Sequence, residues 1–227
     1  MTPPRVLAIG AHPDDAEFFA GGALAGFAAQ GAEVGIVVCT DGARGGATGG
    51  EALAGRRRAE AERAATTLGI RAPVFLGHAD GSLVADDALR RDLVREIRRE
   101  RPDLVLLHDP TTLWTPLGET VHLGHSDHRA AGQATLDAVY PRLLLASFYP
   151  DLVDEGFAPW LVRELWLFDT ARPDHFVPIA DTSERKRRAL ACHESQHVPG
   201  LLAAASAIES AFSCGAGHEA FRRLRLV

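Results

Sequence analysis

The chain has 227 residues, 46% hydrophobic and 24% charged, the composition of an ordinary globular domain long enough to bury one large core. A net charge of −6 excludes the broad basic face of a nucleic-acid binder, and no apolar run reaches the roughly 18 residues that insert into a bilayer. Cys39, Cys192 and Cys214 are too scattered for a disulfide framework or a paired-cysteine metal site, and the N-terminus lacks a secretory h-region, so a cytoplasmic setting is expected.

The first element is "RVLAIGA" (5–11), an apolar run closed by Gly10, and similar runs recur at 32–40, 72–77 and 103–109. Runs that are apolar throughout suit strands covered on both faces, as in a parallel sheet. Helical patterns fill the intervals at about 17–30, 51–69, 86–101 and 126–140, with Gly69 and Pro102 as stop signals. Two more strands, 161–170 and 175–181, precede helices at about 183–197 and 199–212, the first of them capped by Thr182. This order predicts an α/β chain, residues 1–227 as a single domain, with an open, mostly parallel sheet, helices on both faces and a C-terminal α/β elaboration.

Ligands of open α/β sheets bind beyond the carboxyl ends of the strands. Four polar loops fall there: "AHPDDAEF", "TDGARGG", "GHADGS" and "HDPTTLW". His12 and Asp15 are three apart, and "HSDH" supplies His125, Asp127 and His128. Two imidazoles and one carboxylate hold a divalent ion while leaving a position open for water. His12, Asp15 and His128 make such a set, leaving Asp14, His125 and Asp127 over, although spacing alone does not say which aspartate is the ligand. Zn2+ suits these ligands first, with Fe2+ or Co2+ also compatible, and it would acidify a water to a pKa of about 7. The cation would also offset the adjacent carboxylates of Asp14 and Asp15, which near a core cost several kcal/mol each if unpaired.

At this point "AHPDDAEFFAGGALA" and "HSDHRAAGQA" resemble the two motifs of the PIG-L/LmbE-like zinc-dependent N-acetylglucosamine deacetylases. "TDGARGG", "RRAEAERAATTLGI", "FLGHADGSL", "RPDLVLL" and "KRRALACHESQ" follow in the family's order, so the likeness covers nearly the whole chain. The resemblance implies a Rossmann-like fold and hydrolysis of an N-acetyl group from an N-acetylglucosamine-type conjugate, a small-molecule partner. It places metal ligands at His12, Asp15 and His128, the general base at Asp14 and a histidine stabilising the oxyanion at His125. Asp127 would then hold the second nitrogen of His125. The departures are Ser126 where the family often has Pro, Leu123 where some members have Tyr, and Ala16 where many have Glu.

For substrate binding, Asp80 and one arginine of 56–58, taken as Arg57, match positions that contact the sugar or its aglycone in family members, the alternative for each being a turn or helix-surface group. Arg44, in the glycine-rich loop 41–50, reads either as part of a lid or as part of a plain surface connection. Trp114 is expected either to stack on a sugar face or to anchor its loop. His78, His108 and His122 are expected to be satisfied loop histidines, with His108 a candidate donor behind the ligands. His193, Ser195 and Gln196 read as packing or hydrogen-bonding groups. Two rival readings use the same residues: a non-haem Fe(II) oxygenase with a two-His, one-carboxylate triad, and a non-catalytic Rossmann nucleotide-binding module. A homo-oligomer is compatible with the sequence.

Overall fold

The computed structural model describes residues 4–46, 49–117, 119–212 and 217–226; Cys214 and positions 47–48 of the glycine-rich loop lie outside them. The expected alternation forms as β1 (Arg5–Gly10), α1 (Asp15–Ala29), β2 (Glu33–Thr40), α2 (Glu51–Leu68), β3 (Val74–His78), α3 (Asp87–Glu100) and β4 (Leu104–His108). A hairpin, β5 (Trp114–Leu117) and β6 (Thr120–Leu123), leads into α4 (Ser126–Asp137) and a short α5 (Pro150–Asp154). The C-terminal part is β7 (Glu164–Phe168), β8 (His175–Pro178), α6 (Ser183–Leu190), α7 (Val198–Phe212) and β9 (His218–Arg225).

Seven strands form one sheet in the order β3-β2-β1-β4-β7-β9-β8. The first five in that order run parallel, while β9 is antiparallel to both β7 and β8. Strand alternation divides the core into two faces. Leu7, Ile9, Val37, Val105 and Leu107 pack under α3 and α4 with Leu89, Leu93, Ile97 and Ala134. Val6, Ala8, Ile36, Val38, Leu104 and Leu106 pack under α1 with Phe19, Ala20 and Leu24. Each central strand is therefore buried on both sides, which is why its sequence is apolar without alternation. Among the described residues no helix is long and apolar enough to cross a membrane.

Three expectations change. The hairpin, α5 and β9 were not expected: β9 carries arginines and buries Glu219 beside Phe221, so its pattern does not read as an apolar run. The helix expected over 183–197 stops at Leu190, because buried Glu60 on α2 captures the N–H and hydroxyl of Ser195 at 2.9 and 2.6 Å and holds 191–197 as a loop. Thr182 does not cap α6 with its side chain; its hydroxyl donates to the Gly22 carbonyl at 2.8 Å. That contact explains the glycine pair of α1, since a Cβ on Gly22 would lie 2.6 Å from Ile179.

Candidate active site

Strand order reverses between β1 and β4: β2 and β3 lie on one side of β1, and β4 and β7 on the other. The crevice at such a switch point is where open α/β sheets bind ligands, and β1 delivers His12, Asp14 and Asp15 there. Asp14 bridges strand and helix with φ of +123°, a conformation side chains rarely adopt and that functional sites retain at a cost in strain. The turn is closed by the His12 N–H, which donates to Asp15 Oδ2 at 2.8 Å. On the other side, α4 lies directly against the end of β4. A Cβ on Gly132 would sit 2.3 Å from the His108 carbonyl oxygen, so only glycine permits this approach. One turn earlier on α4, His128 stacks on His108 with ring centroids 3.9 Å apart.

Asp15 lies close to both expected histidine ligands, while the tight donor groups among the described residues combine the three with His125, His108, Asp80 and Asp127. Asp15 Oδ1 is 3.2 Å from His128 Nε2, Asp15 Oδ2 is 3.6 Å from His12 Nδ1, and the two imidazole centroids are 5.2 Å apart. Donor atoms of His12, His125 and His128 lie within 4.8 Å of one another, as do those of Asp15, His108 and His128 and those of His12, Asp80 and Asp127. Burial pushes the His12 imidazole down, but hydrogen bonds to Asp127, Asp15 and Asp80 outweigh it and raise the pKa to about 12. For His128 the same burial penalty is outweighed by Asp15 and Asp169, giving about 9. The surrounding carboxylates thus favour positive charge at both imidazoles. Borderline nitrogen and oxygen donors in this number fit a divalent cation.

Asp14 borders this set. Burial raises its carboxyl to about 6, Asp15 adds to the rise, and the Arg57 guanidinium at 3.3 Å opposes it. Arg57 is only 3% exposed and donates to the Pro13 carbonyl at 2.7 Å and the Gly42 carbonyl at 3.2 Å, stapling the loops after β1 and β2. Asp80, expected at the substrate, is largely spent on the protein. Its Oδ1 faces His12 Nε2 at 3.2 Å and its Oδ2 accepts the Arg44 N–H at 2.8 Å. The hydrogen bond from His12 holds its pKa near 2.

Asp127 departs from its expected role. Its carboxylate accepts the N–H groups of Gly81 and Leu83 at 2.7 and 3.2 Å, faces His12 Nε2 at 3.4 Å, and stands 4.0 Å from His125 Nδ1. What holds His125 Nδ1 is the Asp127 backbone N–H, at 3.1 Å. The physical reason is the helix start: His125 is the N-cap of α4, and its ring satisfies a free N–H there. Burial and the neighbouring His12 and His128 lower the His125 pKa, so a neutral ring with Nδ1 as acceptor carries its proton on Nε2.

Beside the ligands opens a cleft of about 410 Å³ bordered by Asp14, Arg44, Arg57, His125, Gln196 and Leu201, among others. Trp114 is not among its lining residues; it sits 53% exposed on β5, paired with Leu123, and it is Leu123 and His122 that reach the cleft. Among the other histidines, His108 donates from Nε2 to Asp15 Oδ2 at 3.0 Å, whereas His78 pairs with Asp92 at 3.1 Å. Sequence reasoning missed Asp169, which closes β7 and lies 3.2 Å from His128 Nδ1. A signal existed: "LWLFD" ends in an acid, as "LVLLHD" does. It also missed Phe18, Phe19 and Leu201 as cleft residues, which carry no polar mark.

Comparison with known proteins agrees with this geometry. Residues 7–139 match the family described as PIG-L, GlcNAc-PI de-N-acetylase. A diacetylchitobiose deacetylase of Thermococcus kodakarensis is 36% identical, the match covering 85% of this chain and 70% of the relative. A 1D-myo-inositol 2-acetamido-2-deoxy-alpha-D-glucopyranoside deacetylase of Nakamurella multipartita is 31% identical over 86% of this chain and 80% of its own. The structure of N,N'-diacetylchitobiose deacetylase from Pyrococcus horikoshii superposes with a TM-score of 0.87 at 30% identity, covering 97% of this chain and 84% of that one. This chain belongs to the PIG-L family.

Proposed function

We propose that this PIG-L family chain is a zinc-dependent N-deacetylase that hydrolyses the acetamide of an N-acetylglucosamine-type conjugate. The observation that carries the reading is the convergence of His12, Asp15 and His128 at the edge of an open cleft, with Asp14 beside them. The relatives named for diacetylchitobiose and for an inositol-linked 2-acetamido sugar have in common an acetylated amino sugar. Two rival readings lose support. An iron oxygenase of this triad type expects a mainly β scaffold, and a nucleotide module would set a pyrophosphate against the acids that follow β1.

Zn2+ held by His12, Asp15 and His128 would polarise the acetamide carbonyl and lower the pKa of water to about 7. Asp14, raised toward 6, is a base close to its working pH; it takes the proton of the attacking water and returns it to the departing amine. Arg57 holds that carboxylate in place while leaving it open to the cleft. His125 presents Nε2–H toward the cleft and donates to the oxygen on which charge develops, acting as a neutral donor rather than as an imidazolium. The products are acetate and a free amino sugar. Among the described residues Cys39 and Cys192 are free thiols, Cys39 buried.

The test is an acetate-release screen over N-acetylglucosamine conjugates, including diacetylchitobiose and an inositol-linked substrate, with zinc supplied and a chelator control. Zinc-dependent release from at least one conjugate is expected. No release from any of them by protein that has bound zinc stoichiometrically would defeat the reading.

A further inference from the structure

We propose that Asp169 is a positioning residue for the metal centre: its carboxylate holds Nδ1 of His128 and so keeps the Nε2 lone pair of that ring turned toward the cation. The inference rests on the metal-site reading above and adds to it a residue from the C-terminal elaboration. His128 stands between two carboxylates, with Nδ1 3.2 Å from Asp169 Oδ2 and Nε2 3.2 Å from Asp15 Oδ1. A neutral imidazole has one N–H, and an ionised carboxylate only accepts. A proton on Nδ1 satisfies Asp169 and leaves Nε2 free on the side where Asp15 and His12 converge. The opposite tautomer would point a lone pair at Asp169 and a proton at the ion.

The backbone is arranged to place this carboxylate. Asp169 follows the last residue of β7 and has φ of +54°, a left-handed conformation that an aspartate tolerates better than most side chains. Its side chain is 7% exposed. The turn is anchored on the turn after β4: the Asp109 N–H donates to the Phe168 carbonyl at 2.9 Å, and the Thr170 hydroxyl donates to Asp109 Oδ2 at 2.6 Å. His108 completes the support. Fully buried, it reaches Asp15 Oδ2 at 3.0 Å with Nε2, places Nδ1 3.8 Å from Asp169 Oδ2, and lies nearly parallel to the His128 ring at 21°. The ring of His128 is thus fixed in its plane by stacking and in its tautomer by Asp169. Carboxylates placed behind metal-bound histidines act in this way, and losing one weakens metal binding about 10–100-fold.

The experiment measures zinc affinity of metal-stripped protein by competition with a chromophoric chelator, and the visible spectrum of the Co2+ form. Asp169→Gly suits the positive φ and removes the acceptor; Asp169→Asn keeps the shape and a weaker acceptor. Leu93→Ala, a cavity in the core face under α3, serves as a comparably destabilised control remote from the ligands. The expected result is a zinc Kd raised about 10–100-fold by Asp169→Gly and less by Asp169→Asn, with an altered Co2+ spectrum and an unchanged Kd in Leu93→Ala. Wild-type affinity in both Asp169 variants overturns the inference, and so does an equal loss in Leu93→Ala, which would make it a general effect of lost stability. If the wild-type protein itself binds no metal, the reading of the site falls together with this inference; if it binds and the Asp169 variants bind as well, only this inference falls.

Discussion

Two of the groups of charges buried among the described residues are neutralised differently. In the C-terminal part, buried Lys186 on α6 contacts Glu219 on β9 at 2.8 Å and Glu209 on α7 at 2.7 Å. Glu219 also accepts the N–H groups of Gly22 and Ala23 at 2.9 and 2.8 Å. At the rim, Asp15, Asp80, Asp127 and Asp169 gather around His12, His108 and His128, and the permanent cation among their described ion-pair partners is Arg57, 4.0 Å from Asp80. The first group is complete: an ammonium has no other state to offer there, and its pKa is raised because Glu219 and Glu209 outweigh the burial that lowers it. The second is open, because an imidazole can give up its proton and become a ligand. Buried carboxylates with their own lysine hold a fold together; the same carboxylates around imidazoles can hold an ion.

The comparison can be pressed by experiment. The largest effect is expected from Asp14→Asn, which removes the base but none of the ligands: turnover should drop about 10²–10⁴-fold while zinc still binds with wild-type stoichiometry. Unchanged turnover in the zinc-loaded variant would take Asp14 out of the mechanism. Next, Lys186→Met should cost about 3–5 kcal/mol in denaturant unfolding, because it strands Glu219 and Glu209 without their cation. Wild-type stability in that variant would show that the lysine is dispensable to the closed group.

Metal removal should act only on the open group. Zinc at 100 times its Kd adds about 2.7 kcal/mol of stability, so chelation should lower Tm in the wild type and in Lys186→Met alike, but not in Asp15→Ala. The pH responses should separate the groups too. Lys186 has its pKa raised above the ordinary 10.5, so its contribution is complete below that value and is lost only as pH rises through its folded-state value. Zinc binding should weaken steadily as pH falls below about 9, since the imidazoles of His12 and His128, raised by their carboxylates, must be deprotonated to coordinate, and the Lys186 group should be untouched. A stability loss near pH 9 traceable to Lys186 would contradict this. The smallest effect belongs to Trp114→Ala: exposed and outside the cleft, it should shift stability by no more than about 0.5 kcal/mol and leave kcat/KM near that of the wild type. A large rise in KM would return Trp114 to the substrate.

Much of the site is legible in the chain because its elements are local. "AHPDD" is one turn between a strand and a helix, so spacing alone puts His12 and Asp15 together, and "HSDH" begins a helix whose Gly132 announces a close approach. Arg57 is a different matter. Its clasp on Pro13 and Gly42 joins residues 44 and 15 positions away, and a helix with arginines at 56, 57 and 58 gives no sign which of them turns inward. The role of Asp127 was hidden for the same reason, since a carboxylate engages whichever donors the packed loops bring to it; Asp80 engages His12 and the Arg44 N–H and still lines the cleft.

From sequence alone, then, come the parallel core, with strands apolar throughout because both faces are covered, and the candidate ligands and base, which the resemblance of two short motifs implies. The tertiary structure decides which carboxylate each imidazole nitrogen faces, and that the end of β7 contributes Asp169. Those are long-range outcomes of strand order and helix approach: β7 reaches the site because it pairs beside β4, and His128 meets His108 because α4 has no Cβ where it crosses the strand end. Local residue patterns encode the first kind of information because hydrogen bonding and burial repeat along an element, while contacts between elements far apart in the chain exist only once the sheet has closed around them.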